Sequence, residues 1–411
     1  MGLFKYLFIV LMVMLPCLSF ASNWAVEDIP KIHISPDYTL LFLGGLFVML
    51  MQMGFAMVEG GYDPDSKRLR IFAINYMAAL IGNLSYIAAM YYYELWFRGE
   101  LIFFRAPLQT WHLNLLVFYV LMSTTVTMVV SRIIPRKISL LQYWWISLFI
   151  SFAIFAITSR SAWGGVMNYG GFLKSLGFID FAGSTVVHST AAWIVLAGYV
   201  VFGREQQESL RRKDIIFDDY KTLAMGLAGF VLWLAWSSLN VGYITAIKVD
   251  IEDVVLNTVS TLIAAIVAMI IFGKCYKQSI TLESLIKAGL GGLVAITASC
   301  ALVSITAAIF IGFVAGVLVF VLPNLLKRWI GVKNIIDVTV IHGICGIWGT
   351  LILAFVDHSK LLSGREATIF AQFSGVIVIF LWSFGLAFLM FKVVHWWNAK
   401  RKIQLKQNDS V

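Results

Sequence analysis

Long apolar runs separated by short polar segments are the main feature of this sequence. A helix needs about 20 consecutive apolar residues to cross the hydrocarbon core of a bilayer. We therefore predict an all-α polytopic membrane protein with eleven transmembrane helices. The predicted spans are residues 38–59, 71–93, 113–133, 138–158, 180–202, 222–243, 254–273, 284–302, 305–326, 336–356 and 369–396.

The boundary between the eighth and ninth spans needs an argument of its own, because residues 288–326 contain no charged side chain. A single helix of this length would extend well beyond a bilayer of about 30 Å, since each residue adds about 1.5 Å. We predict instead a hairpin of two spans that turns near Ser299 and Cys300.

Composition agrees with this class of protein. Of the 411 residues, 60% are hydrophobic and only 13% are charged, whereas about a quarter of the residues of a soluble domain are charged. This excludes soluble enzymes, nucleic-acid-binding proteins and secreted disulfide scaffolds. The four cysteines show no CxxC spacing, so we predict neither a metal site nor a disulfide framework.

The positive charges orient the chain. The loops that share one side of the eleven-span arrangement, together with the C-terminal tail, hold 21 of the 31 Lys and Arg residues, and the opposite side holds eight. The positive-inside rule then places the mature N-terminus outside and the C-terminus in the cytoplasm. We accordingly expect a multi-pass protein of the inner (plasma) membrane.

The first residues have the features of a cleavable signal peptide. Residues 1–21 contain a lysine, a short apolar stretch and a small-x-small site before Ser22. The alternative is an uncleaved additional span. With cleavage, residues 22–37 form an extracytoplasmic N-terminus, residues 38–396 a single membrane domain, and residues 397–411 a cytoplasmic tail.

Ionisable side chains inside spans are costly, which makes them the first candidates for a functional site. We single out six of them, Glu59, Asp180, His188, Lys287, Asp337 and His342. Lys287 lies near a predicted cytoplasmic end, where its ammonium group can reach the interface. For Glu59, at the inner end of the first span, we predict a structural role.

The other four of these residues form two similar units. Asp180 and His188 begin the fifth span, Asp337 and His342 begin the tenth, and small residues follow each histidine. Because the two spans enter the membrane from opposite sides, the pattern indicates an inverted repeat of two five-span halves followed by a final helix. It predicts that the histidines face each other near mid-membrane. The alternative for each histidine is a packed imidazole with only a structural role.

The chemistry of such a pair follows from imidazole. Two neutral rings can share an N–H···N hydrogen bond and present their other atoms to a narrow lumen, where they can bind a small polar molecule and pass on a proton. A bare cation there would have a large desolvation penalty, so its proton should move separately. We predict that Asp180 and Asp337 accept first-turn N–H groups of their helices, with an additional site-shaping role for Asp180.

These units resemble those of the ammonium transporter, methylammonium permease and Rhesus protein family. The resemblance covers residues 38–396. Its most specific segments are 180–188 and 340–350, with weaker support from 52–61, 163–165 and 235–242. It implies a homotrimer in which each protomer has its own pore, lined by His188 and His342. It also implies an outer recruitment site with Trp163, supported by Asp180 and Trp236.

Several positions depart from the bacterial pattern of that family. Leu239 replaces the inner of two stacked gate phenylalanines, and Tyr243 replaces the recruitment serine. The outer gate position falls at Leu121 or Met122. A leucine lacks the ring face that attracts a cation, whereas Tyr243 either restores a ring and a hydroxyl or plugs the vestibule. The altered entrance therefore weakens the expectation of high-affinity ammonium capture more than the expectation of a pore.

The resemblance implies transport of ammonium, as ammonia plus a relayed proton, with no enzymatic activity, no cofactor and no metal. One alternative is an ammonium sensor or regulatory protein with little flux, and another is a Rhesus-like channel for neutral ammonia or carbon dioxide. A haem-bearing redox enzyme is a third, but a second histidine pair and a haem-attachment motif are missing from the sequence. Membrane lipid and ammonium are the expected partners. The sequence leaves open whether a cytoplasmic regulator binds the tail.

Overall fold

The computed structural model describes residues 36–61, 68–98, 110–131, 138–164, 171–210, 219–242, 250–356 and 367–408. All regular elements within these ranges are helical. Eleven long helices are α1 (Pro36–Gly61), α2 (Arg68–Arg98), α3 (Thr110–Ser131), α4 (Leu140–Trp163), α5 (Ser184–Ser189 with Thr190–Leu210), α6 (Asp219–Gly242), α7 (Ile251–Cys275), α8 (Leu282–Ile296), α9 (Ile305–Leu326), α10 (Lys333–Ile352) and α11 (Ile369–Asn408).

Each of the eleven predicted spans coincides with one of these helices, and the prediction of an all-helical polytopic protein is confirmed. Seven helical stretches in the described ranges are long and apolar enough to cross a membrane, namely Leu140–Trp163, Ser184–Gly203, Leu223–Val241, Ile251–Cys275, Ile305–Leu326, Lys333–Ile352 and Ile369–Lys400. Shorter apolar stretches lie in α1 and α3, at Leu43–Met57 and Leu115–Val130.

The predicted hairpin between the eighth and ninth spans is confirmed. α8 ends at Ile296, and α9 begins at Ile305 after a buried turn. The side-chain amide of Asn257 on α7 stabilises this turn, since it donates hydrogen bonds to the carbonyl oxygens of Cys300 and Val303 at 2.9 and 2.8 Å. These two carbonyl oxygens of the turn are therefore paired inside the helix bundle.

The helix packing repeats between the two halves of the chain. α2 packs on α3 and α4 in the first half, and α7 packs on α8 and α9 in the second. The first helices of the halves, α1 and α6, pack against each other, and the last helices, α5 and α10, also meet. α11 lies outside this repeat and packs along α5. These pairings are those expected of a five-plus-five repeat with a final helix.

Three of the described helices contain a six-residue π-helical segment, at Ile150–Phe155 in α4, Ser184–Ser189 in α5 and Thr339–Ile344 in α10. π-helical turns are rare and often occur at functional sites. The segments of α5 and α10 occupy equivalent places in the two halves, and each carries one of the two intramembrane histidines.

Two predicted regions fall largely outside the described residues. These are the signal peptide (1–21) and the extracytoplasmic N-terminus (22–37), of which only the last two residues are described, at the start of α1. At the other end, α11 continues without a break into the predicted cytoplasmic tail as far as Asn408.

Candidate functional site

Two histidines meet where the π-helical segments of α5 and α10 pack against each other. His188 and His342 are 1% and 2% exposed, and their Nδ1 atoms lie 3.3 Å apart. The ring centroids are separated by 5.4 Å, and the ring planes differ by 30°. One Nδ1 atom carries a hydrogen and donates it to the other, so the two rings share one N–H···N hydrogen bond.

Aromatic side chains surround this pair. Trp236 on α6 stacks on His188, with centroids 4.7 Å apart and planes 17° apart. Phe55 on α1 lies 6.0 Å from His342 and 6.5 Å from Trp236 between ring centroids. The indole N–H of Trp236 donates to Thr297 Oγ1 at 2.8 Å. The Nε2 atom of His188 is buried without a hydrogen-bond partner among the described residues, which leaves it available to a small polar molecule.

Asp180 caps the helical segment that carries His188. Its two carboxylate oxygens accept hydrogen bonds of 2.8–3.0 Å from the backbone N–H groups of Gly183, Ser184, Thr185 and Val186. The sequence predicts this role, in which Asp180 accepts hydrogen bonds from the first-turn N–H groups of its helix. Because helix starts leave such N–H groups unpaired, the carboxylate stabilises the beginning of α5.

Gly183 makes the turn between Asp180 and the π-helical segment. Its φ of 107° lies in the left-handed region, which side chains with a Cβ rarely adopt. A Cβ at this position would also clash with the side chain of Val187. The geometry of the Asp180 cap therefore depends on a glycine here.

The same loop is bound to α8, a helix of the second half. The N–H group of Ala182 donates to the carbonyl oxygen of Thr297 at 2.9 Å. Ser184 Oγ accepts from the N–H group of Ala298 at 2.7 Å and donates to the carbonyl oxygen of Val294 at 2.6 Å. These bonds hold the start of α5 against the end of α8, next to the ring of Trp236.

Small residues after the histidines allow α5 and α10 to approach closely. A Cβ added to Gly346 would clash with the carbonyl oxygen of Ser184 and with Ser189 Oγ. Ser189 Oγ in turn donates to the carbonyl oxygen of Gly343 at 3.1 Å. The small residues seen in the sequence thus set the distance between the two histidine-bearing helices.

Trp163, the expected recruitment residue, lies beside Asp180 at the end of α4. Its indole N–H donates to the carbonyl oxygen of Asp180 at 2.7 Å. One face of its ring stacks on Tyr119 of α3, with centroids 5.3 Å apart and planes 14° apart. The structure therefore brings Trp163 and Asp180 together and adds a second aromatic ring next to them.

The expected gate residues Leu239, Leu121 and Met122 are all buried. Leu239 follows Trp236 by three residues on α6. Leu121 faces Gly45 of α1: a Cβ atom added to Gly45 would lie 3.4 Å from Leu121 Cδ1. Tyr243 and the side chain of Glu59 lie outside the part of the chain that the structure describes.

The predicted role of Asp337 as an acceptor for first-turn N–H groups is wrong. α10 begins at Lys333, so Asp337 lies beyond the first turn, where its carboxylate cannot reach the free N–H groups at the helix start. Its Oδ2 atom instead accepts a hydrogen bond from Lys287 Nζ of α8 at 2.6 Å, and Lys287 also pairs with Glu283. The helix of His342 is thus anchored by an ion pair.

Lys333 completes this charged cluster, with its Nζ atom 3.0 Å from Glu283 Oε1. The cluster lines a cavity of about 260 Å³ between the ends of α7, α8, α9 and α10. Burial alone would raise the pKa of Glu283, which precedes the predicted span 284–302, but Lys287 and Lys333 outweigh burial and hold the pKa below its usual value. The carboxylate therefore stays ionised and keeps both lysines paired.

Three residues around the site were not identified from the sequence, namely Phe55, Tyr119 and Thr297. Aromatic and hydroxyl side chains are common in membrane spans, so residue type alone did not distinguish them. Their contacts are made with side chains of other helices. Among the described residues, no three His, Cys, Asp or Glu side chains are grouped so that they could hold a metal ion. The expected lack of metal and cofactor stays a prediction.

Comparison with known proteins gives one consistent family. The model of the Ammonium Transporter Family matches residues 39–408. A putative ammonium transporter of Synechocystis sp. is 28% identical over 402 residues, which cover 91% of this chain and 86% of that protein. Ammonium transporter Amt2 of Archaeoglobus fulgidus is 26% identical over 416 residues, which cover 93% of this chain and 86% of that protein.

Solved structures share the fold. A sensor Amt protein matches with a TM-score of 0.77 at 28% identity, over 87% of this chain and 92% of that chain. The delta442 mutant of Mep2 from Candida albicans matches with a TM-score of 0.73 over 89% of this chain and 94% of that chain. At 16% identity the second likeness shows the fold alone.

Proposed function

Because the chain belongs to the Ammonium Transporter Family, we propose that it moves ammonium across the membrane through a pore centred on His188 and His342. In this proposal ammonium is deprotonated, ammonia passes along the pore, and the proton is relayed separately. The observation that carries the proposal is the buried contact of the two imidazoles, with their Nδ1 atoms 3.3 Å apart. The relatives named ammonium transporters support the choice of substrate.

The surroundings of the pair favour ammonia over the ion. Trp236 and Phe55 enclose the histidines with apolar ring surfaces, and a bare cation in such surroundings has a large desolvation penalty. When His188 donates its Nδ1–H to His342, its Nε2 atom carries a lone pair. An N–H bond of ammonium can then break as its proton binds Nε2, and the shared N–H···N contact offers that proton an onward route.

At the outer end, we propose that a recruitment site collects ammonium before it loses its proton. The stacked rings of Trp163 and Tyr119 and the nearby Asp180 segment support this position. The residues assigned to recruitment and its support are Asp180, Trp163, Trp236 and Tyr243, and those assigned to the gates are Leu239 with Leu121 or Met122.

We further propose a homotrimer in the inner membrane, with one pore in each protomer. The family resemblance supports the trimer. The uneven distribution of Lys and Arg supports an outside N-terminus, formed after removal of residues 1–21, and a cytoplasmic C-terminus.

A second candidate function is an ammonium sensor with little flux. It is favoured by the likeness to a sensor Amt protein at 28% identity over 87% of this chain, and by Leu239 at the inner gate position, where a leucine offers no ring to a cation. A Rhesus-like channel for neutral gas is the alternative within transport.

The deciding experiment records current from proteoliposomes on a solid-supported membrane when ammonium chloride replaces sodium chloride. We expect a transient inward current that protein-free liposomes lack. Ammonia flux without current would indicate a gas channel. Ammonium binding with neither current nor flux would indicate a sensor, and absence of all three would contradict the proposal.

A further inference from the structure

The final helix α11 lies outside the repeat, yet one of its buried side chains contacts both halves of the site. Gln372, 0% exposed, lies in the first turn of α11. Its Oε1 atom accepts a hydrogen bond from the N–H group of Ile179 at 2.8 Å. Its Nε2 atom donates to the carbonyl oxygens of Ile179 and Thr350 at 2.7 and 2.8 Å. Both donor hydrogens of the amide are therefore used.

The orientation of this amide follows from its partners. The N–H group of Ile179 can only donate, so it must face the oxygen of Gln372, and the two carbonyl oxygens can only accept, so they must face the nitrogen. A side chain without both an acceptor and two donors in this geometry would leave buried backbone groups unpaired, which is costly.

The two partners of Gln372 belong to different half-sites. Ile179 immediately precedes Asp180, whose carboxylate caps the segment of His188. Thr350 lies on α10, eight residues after His342, and its hydroxyl group is 2.6 Å from the hydroxyl oxygen of Thr185 on α5. A displacement of Gln372 would therefore release the two histidine-bearing segments from each other at one point.

We propose that Gln372 is a positioning residue of the transport site, which fixes the two half-sites relative to each other and thereby the contact between His188 and His342. This inference rests on the proposed ammonium transport. Gln372 acts through backbone groups and does not touch the permeating molecule. Its loss should therefore lower the maximum rate while the ammonium concentration for half-maximal current changes by less than about twofold.

The sharpest test is Gln372→Glu, which keeps the size of the side chain. As a carboxylate it still accepts from Ile179 N–H, but its second oxygen faces two carbonyl oxygens instead of donating to them. We expect the maximum current at pH 7.5 to fall at least about tenfold relative to wild type. Protonation at lower pH restores one O–H donor, so the ratio of variant to wild-type current should rise as the pH falls towards 5.5.

Expressing each current as a ratio to wild type separates this effect from other titrations. The titratable groups on the elements around this end of α11 are present in every variant, namely Asp180, His188, His342, Arg160 and Lys174. Ser383→Ala is the matched control on the same helix. It removes a single long hydrogen bond, of 3.4 Å to Thr190 Oγ1, and should retain at least about half of the wild-type current.

Gln372→Met is the second variant, for use if Gln372→Glu does not fold. It keeps the length of the side chain but removes its hydrogen bonds at every pH, so its current should be low and the ratio to wild type should not change with pH. Wild-type current from either well-folded variant would contradict the positioning role while leaving the proposed transport intact. Absence of current from wild type would instead contradict the proposed transport and, with it, this inference.

Discussion

Asp180 and Asp337 stand at similar places in the two halves of the chain, but their carboxylates bind different partners. Asp180 precedes its helix and accepts four backbone N–H groups, whereas Asp337 lies inside its helix and pairs with Lys287. The first arrangement could be predicted, because a cap is a local interaction between neighbours in sequence. The second could not, because it depends on which helix packs beside α10.

The histidine pair allows the most direct test of a proposed role for individual residues. We expect the double variant His188→Leu/His342→Leu to lose at least about 100-fold in ammonium-induced current, because no group remains that can take and pass on the proton. The measurement is current on a solid-supported membrane, with protein quantity and oligomer size checked by chromatography.

His395→Ala is the control for that experiment. His395 lies on α11 next to Phe202, at 5.7 Å between ring centroids, away from the paired histidines. Its replacement should leave the current within about twofold of wild type, as is usual for a surface substitution. A double histidine variant with the wild-type current would show that the proton does not pass through this pair.

The aromatic neighbours of the site could be predicted only in part from the sequence. Trp163 and Trp236 were identified through the family resemblance, but the stacking of Tyr119 on Trp163 and the contact of Phe55 with His342 were not. These contacts join α3 to α4 and α1 to α10. Nothing in the residue types along one helix indicates which ring of another helix it meets.

Among the elements, the close approach of α5 and α10 depends most directly on Gly346. Gly346→Ala places a methyl group against the backbone of Ser184 and the hydroxyl group of Ser189. We expect the two helices to be forced apart, with a loss of about 1–3 kcal/mol in stability, as is typical of overpacking. The expected observations are a lower thermal unfolding midpoint in detergent and a reduced ammonium current.

Gly385→Ala on α11 is the matched substitution. A Cβ at Gly385 meets nothing within 4 Å, and alanine favours a helix over glycine by about 1 kcal/mol. This variant should therefore unfold at the same temperature as wild type or at a higher one. Equal midpoints for the two variants would show that the contact at Gly346 is not tight.

The helix starts were predictable to within four residues, whereas several helix ends and the π-helical segments were not. Hydropathy located α8 and α9 and the turn between them, because burial in lipid requires apolar length. A π-helical segment depends on how a helix is packed rather than on its composition. The sequence of Thr339–Ile344 reads as an ordinary apolar helix.

For the whole molecule, the distribution of charge and the repeat of Asp–His units predicted the arrangement of the helices. The observed pairing of α2 with α3 and α4, and of α7 with α8 and α9, follows that repeat. The linking role of α11 had no counterpart in the sequence argument. Its contacts with both half-sites depend on how the helices pack against each other.

The proposed orientation can be tested with the native cysteines. Cys275 is the exposed last residue of α7, at a helix end that the proposed orientation places in the cytoplasm, whereas Cys300 and Cys345 are buried. We expect a membrane-impermeant maleimide to label inside-out vesicles and not intact cells, because Cys275 is the only exposed thiol among the described residues. Cys275→Ser should abolish the labelling, and labelling of intact cells at Cys275 would reverse the orientation.

The π-helical segments also have a consequence for chain length. A π-helical turn accommodates one residue more than an α-helical turn, so it is equivalent to a one-residue insertion. Deletion of one residue from Thr339–Ile344 would therefore return this stretch to an α-helix, in which the residues on either side keep their faces and His342, inside the segment, does not. Related chains should accordingly show substitutions in this segment but no gaps.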